Sequence, residues 1–82
     1  MQKATKLRIV IKRDGKEKAN IKLPIYSLKH IETLMPDVAL VKLKERNIDL
    51  ESIVKKVKDS DYSPQTLFEI NDPKKSYRVW IE

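Results

Sequence analysis

The sequence holds a single glycine, Gly15, which follows Asp14 between two runs of alternating side chains. In the first run Leu7, Ile9 and Ile11 alternate with Arg8, Val10 and Lys12. In the second, Ala19, Ile21 and Leu23 alternate with Asn20 and Lys22. A period of two marks half-buried strands, and Asp-Gly between two of them is a hairpin signal. Turn and register constrain each other here. A two-residue turn at Asp14-Gly15 would set Ile11 against Lys18 and Val10 against Ala19, mixing the two faces. A three-residue loop, Arg13-Asp14-Gly15 with Gly15 left-handed, pairs Ile9 with Ala19 and Leu7 with Ile21 and keeps the buried face continuous. That register is expected, with Arg8, Val10, Lys12, Lys18, Asn20 and Lys22 facing outward. Once its one glycine is committed to a turn, the chain has no glycine loop to cradle a phosphate.

Pro24 ends the second strand and can open a helix, since its missing N–H is not needed there. Ile25, Leu28, Ile31, Leu34 and Met35 follow at helical spacing until Pro36 interrupts. A second helical stretch is expected from Asp37 to Arg46, with Val38, Val41 and Leu40 or Leu43 inward and Asn47 as the stop. Asp49 is a good N-cap for a third, with Ile48 packing on Ile53 and a stripe of Leu50, Ile53, Val54 and Val57. Lys55, Lys56 and Lys58 suit the negative end of that helix. Residues 59–64 are turn-rich. A closing hairpin of 65–71 and 76–82 around Asp72–Lys75 pairs Ile70 with Tyr77, Phe68 with Val79 and Thr66 with Ile81. On its other face Glu69 meets Arg78 and Leu67 meets Trp80. The expectation is one α+β domain over residues 1–82: an N-terminal β-hairpin, two to three helices and a C-terminal β-hairpin, the strands forming an antiparallel sheet with helices on one face.

The 82 residues carry 18 Lys+Arg against 12 Asp+Glu, a formal +6. Residues 1–23 alone hold eight bases and two acids, also +6, so the remainder is balanced. A chain of this length buries only about 60–65% of its unfolded surface, so its core is thin. The absence of Cys excludes a disulfide framework, a thiolate metal site and a cysteine nucleophile. No apolar run approaches the roughly 18 residues of a membrane span, and Met-Gln-Lys-Ala-Thr-Lys lacks a signal-peptide core. A cytoplasmic domain is expected.

No chemistry-bearing constellation emerges. His30 is the only histidine and falls off the apolar stripe of its helix. Ser27, His30 and an Asp can be written as a triad, but nothing fixes their geometry. Asp59 and Asp61 lack the glycine and terminal Glu of a calcium loop. No catalytic residue, no metal ligand and no cofactor is expected.

Two surfaces stand out. Arg8, Lys12, Lys18 and Lys22 on the first hairpin are either solvation and protection of a sheet edge, or a face for an anionic partner. A nucleic-acid backbone is one such partner, and an anionic membrane surface is another. No aromatic side chain on that hairpin offers a base a stacking platform. The second surface is Leu67 and Trp80 with Val10, on the face opposite Phe68, Tyr77 and Val79. It is either a protein interface, including a homodimer, or is covered by loop 59–64 with Tyr62.

Asn20-Ile21-Lys22-Leu23-Pro24, Ile48-Asp49-Leu50-Glu51-Ser52-Ile53-Val54 and the terminal Tyr77-Arg78-Val79-Trp80-Ile81-Glu82 together resemble the SHOCT-like N-terminal domain of bacterial YvlB-type envelope-stress proteins. The resemblance spans residues 6–82, and its motifs are structural. In that family the module typically precedes a β-rich adhesin-like region or accompanies DNA-binding or zinc-ribbon segments, and no catalytic residues are assigned to it. The resemblance implies a non-catalytic interaction or regulatory module and carries over no functional residue.

Overall fold

In the computed structural model, which describes residues 3–82, Asp14 and Gly15 both have positive φ, 52° and 77°. Met1 and Gln2, the first two residues of the expected domain, lie outside the described residues. Two successive positive φ angles are what a type I′ turn requires, so the first hairpin closes with two residues rather than the expected three. Strand β1 (Lys6–Arg13) pairs antiparallel with β2 (Lys16–Pro24), setting Leu7 against Leu23, Ile9 against Ile21 and Ile11 against Ala19. This register differs from the expected one by two residues, which leaves the side chains from Lys6 to Ile11 and from Ala19 to Leu23 on their expected faces. The mixing of faces that argued against a two-residue turn is absorbed by a bulge. The pairing shifts between Ile11 and Lys12, so Lys12 meets Glu17, and Lys18 is the residue left over.

The second hairpin, β3 (Gln65–Asn71) and β4 (Lys75–Ile81), pairs Ile70 with Tyr77, Phe68 with Val79 and Glu69 with Arg78, as its sequence predicts. It then departs. A bulge between Thr66 and Phe68 sets Thr66 opposite Trp80 and Gln65 opposite Ile81. Leu67 therefore does not face Trp80; it packs half-buried against the core. The two hairpins join through β1 and β4, with Leu7 against Ile81, Ile9 against Val79 and Ile11 against Tyr77. The sheet is four-stranded, antiparallel and ordered β2-β1-β4-β3. Both edge strands carry the bulges, a device that blunts edge-to-edge pairing. The Asp14 N–H donates to the Lys74 carbonyl at 2.8 Å, tying the two turns together.

The connecting segment covers one face of this sheet. Ile25–His30 forms a 3-10 segment and Ile31–Leu34 a single α turn, α1, where a continuous α-helix is expected. Ile25, Leu28 and Ile31 recur every three residues, the period of a 3-10 helix, and Leu28, Ile31 and Met35 are buried while Leu34 is exposed. Pro24 is the extended residue before this segment rather than its first member. Helix α2 (Asp37–Glu45) buries Ala39 and Leu43 and leaves Val38 and Val41 exposed, reversing the expected face for the two valines. It ends on Asn47 at φ 58°, with Ile48 N–H donating to the Leu43 carbonyl at 2.8 Å and Asn47 N–H to that of Lys44 at 3.1 Å. That is a Schellman motif. Helix α3 (Leu50–Asp59) starts where Asp49 accepts from the Glu51 N–H and the Ser52 hydroxyl, both at 3.0 Å. It ends in a second Schellman motif at Asp61, φ 56°.

The core lies between the sheet and this helical layer. Leu7, Ile9, Leu43, Val57, Ile70, Val79 and Ile81 are almost wholly enclosed, and no polar or charged residue is buried among the described residues. Among the described residues no layer lies on the other face of the sheet.

Candidate functional site

The open face can be laid out from the strand register. Lys22, Arg8, Trp80 and Thr66 stand in one row across the four strands. Asn20, Val10, Arg78 and Glu69 form the next, and Glu17, Lys12, Ser76 and Asn71 the third. Loop 59–64 does not fold over this surface. The Tyr62 carbonyl accepts from Ala4 N–H at 2.7 Å, and its side chain lines a groove with Ile25 and Leu28 on the helical side.

Trp80 is half-buried all the same, because two arginines cover it. The guanidinium of Arg8, its neighbour on β1, lies 5.2 Å from the ring centroid, and that of Arg78, two residues back on β4, lies 5.0 Å away. Each is within cation–π range. Arg8 is further held by Glu82 at 2.8 Å and by the Asn20 side-chain carbonyl at 2.5 Å, and Asn20 in turn donates to Glu17 at 3.2 Å. A polar chain thus crosses β4, β1 and β2 beside the indole.

Of the four expected anion-facing residues, Arg8, Lys12 and Lys22 share the open face, and Arg8 is already engaged by Glu82. Lys18 is elsewhere. Displaced by the bulge, it lines a groove with Ile11 and Tyr77 on the helical side of the sheet. Lys6 joins the face in its place, at the same parity as Arg8. The Lys6 ammonium can donate to Lys22 only when Lys22 is the neutral amine, and it repels the charged form; with a smaller push from Arg8 this holds Lys22 below the ordinary lysine range. The face is not uniformly basic, because Glu17, Glu69 and Glu82 interleave with its cations.

Of the three expected interface residues, Trp80 and Val10 are diagonal neighbours in the first two rows, and Leu67 is replaced by Thr66. Two members of this arrangement were not singled out from sequence, Arg78 and Lys6. The signal for both is parity: each lies two residues from a chosen residue on its own strand and so points the same way. His30 is exposed in a groove between the 3-10 segment and α3, and Asp61 pairs with Lys3 at 3.0 Å. Among the described residues no three of His, Asp and Glu converge as metal ligands, and no helix is long and apolar enough to cross a membrane.

The family model described as the YvlB-like protein, C-terminal domain, matches residues 5–82. The chain belongs to that family. The YvlB-type resemblance read from the sequence therefore holds at the level of the family. The matched model describes the C-terminal domain, and no match supports the SHOCT-like N-terminal assignment. The comparison with curated proteins and the comparison with solved structures returned no match for this YvlB-like domain.

Proposed function

We propose that this YvlB-like domain is a non-catalytic protein-interaction module that docks through the open face of its sheet, in the first instance on a second copy of itself. One observation carries the reading: an uncovered sheet face centred on the chain's only tryptophan, with Arg8 and Arg78 over its ring and Val10 beside it. Tryptophan and arginine are the residues most enriched where interfaces concentrate their energy. Glu17, Glu69 and Glu82 alternate with Lys12, Lys22 and Arg78, a mixture of signs that lets a two-fold axis set the face against itself. Four strands at about 4.8 Å and seven residues at about 3.3 Å present roughly 450 Å² in plan, short of the roughly 800 Å² per partner of a stable complex. An interface of this size belongs with weak and reversible associations.

Sedimentation velocity from micromolar to millimolar protein tests this. The weight-average sedimentation coefficient of the wild type is expected to rise with concentration, and that of Trp80→Ala to stay at the monomer value. A concentration-independent monomer for both overturns the reading. A second reading, nucleic-acid binding, draws on Lys6 and Lys22, two adjacent ammonium groups with no acidic partner of their own among the described residues. It requires binding of random-sequence DNA or RNA that weakens steeply with salt and is lost in a Lys6→Glu, Lys22→Glu variant.

A further inference from the structure

At the turn end of the sheet a groove opens beside the start of helix α2. There the register places Lys16, Arg13 and Lys75 side by side across β2, β1 and β4, on the helix-facing side, one step beyond Ile11 and Tyr77. Neighbouring strands lie about 4.8 Å apart, so three cations sit in one row with no acid between them. The bulge adds a fourth, because Lys18 is turned out of the open face and towards this end. Helix α2 starts just above, and Pro36 and Val38 line the same groove as Ile11 and Tyr77.

The result is a groove with an apolar floor and a cationic rim. Ile11, Tyr77, Pro36 and Val38 make the floor, and Arg13, Lys18 and Lys75 the rim. Val38 is 46% exposed, an aliphatic side chain left bare at the mouth of a groove. Asp14 lies in the turn, Asp37 is exposed in the first turn of α2 and outside the groove's lining, Glu17 faces the other side of the sheet opposite Lys12, and Asp72 is engaged by Lys42. None of the three rim cations is in an ion pair among the described residues.

We propose that this groove docks an acidic segment of a partner protein, seating one apolar side chain between Val38 and Ile11 and setting carboxylates on Arg13, Lys18 and Lys75. Charge complementarity names the occupant: a lining with three cations and no carboxylate favours an anionic chain, and an aliphatic floor favours one with an apolar anchor. A phosphate backbone would meet the rim but leave the floor empty, and the Tyr77 ring, 3% exposed, offers no base a surface to stack on. The surface is distinct from the open face. It lies on the other side of the sheet and shares none of Arg8, Val10, Arg78 and Trp80.

The test is fluorescence anisotropy with a labelled ten-residue peptide of alternating Glu and Leu, and a second in which Gln replaces Glu. The wild type is expected to bind the Glu peptide at least about tenfold more tightly than the Gln peptide. An Arg13→Glu, Lys75→Glu variant should lose about tenfold or more, and Arg13→Gln with Lys75→Gln should lose less. Val38→Asp weakens binding, whereas Lys12→Glu with Lys22→Glu on the opposite face leaves it unchanged. Retained binding by Trp80→Ala separates this groove from the open-face reading. Equal binding of the two peptides, or equal loss from the Arg13/Lys75 and Lys12/Lys22 variants, overturns the proposal. So does tighter binding of single-stranded DNA or of phosphatidylserine vesicles that depends on the same Arg13 and Lys75.

Discussion

Arg8 shows how one side chain can be read as a ligand and prove to be a tie. Its guanidinium lies over Trp80, donates to Glu82 just past β4 and donates to Asn20 on β2, so its charge is spent inside the protein. Lys22 has the opposite circumstance. Its neighbour on the face is Lys6, and that ammonium lowers its pKa. The folded value therefore lies below the unfolded one, and between the two the folded state holds fewer protons. Stability rises with pH through that window, and the repulsion is fully present below the lowered value. Replacing Lys6 by Gln should return the Lys22 titration towards the ordinary lysine range, read by NMR of the side-chain amine. The stability gap between Lys6→Gln and the wild type should close as the pH is raised towards that range. Gly15 makes a simpler prediction. Space is open around it, yet its φ is +77°, so Gly15→Ala is expected to destabilise by about 1 kcal/mol in urea unfolding through backbone strain alone.

Among the elements, the third helix is legible from its cap at Asp49 to within one residue of its end at Asp59, and the two edge strands are not. Asp49 caps α3 as its sequence position predicts, and Asp49→Ala should lower stability by about 1 kcal/mol, measured by denaturant midpoint at constant slope. The bulges escaped because alternation has nothing to hold where they fall. Residues 16–18 are Lys-Glu-Lys, with no apolar side chain to set their phase before Ala19. Leu67 and Phe68 are adjacent apolar residues, either of which can face the core. The first hairpin's register failed for a related reason: shifts of two residues preserve the faces, so face continuity cannot choose between them, and the turn's own backbone preference does. The 3-10 segment was visible in a three-residue period that was read as a looser helical one. Val38 and Val41 mark a further limit, since β-branched apolar residues on a short helix were assumed to be inside. The close seat against the sheet instead goes to Ala39, fully enclosed, and Leu43. Enlarging that seat with Ala39→Leu should destabilise by about 1–3 kcal/mol in thermal or urea unfolding.

At the scale of the molecule, the first and last strands are the centre of the sheet. Leu7 meets Ile81, so the pair that joins the two hairpins closes almost the whole chain. Ile81 is 1% exposed, and Ile81→Ala is expected to cost about 2–5 kcal/mol, a large share of the stability of a domain this small. The same topology parts the basic side chains of the first hairpin between two places. One share lies at the corner where Lys6 and Lys22 meet on the open face, and the other rims the groove at the turn end. Neither division can be read from segment charge alone, because a single bulge moves Lys18 from one surface to the other. Between these basic regions, the middle of the open face is Trp80 under two arginines. Because Trp80 is the only tryptophan, its fluorescence reports on that surface and no other. The most direct measurement is its emission maximum from micromolar to millimolar protein. Docking of the open faces predicts a blue shift that saturates with concentration and is absent in Val10→Glu; an emission maximum that does not move over that range contradicts it.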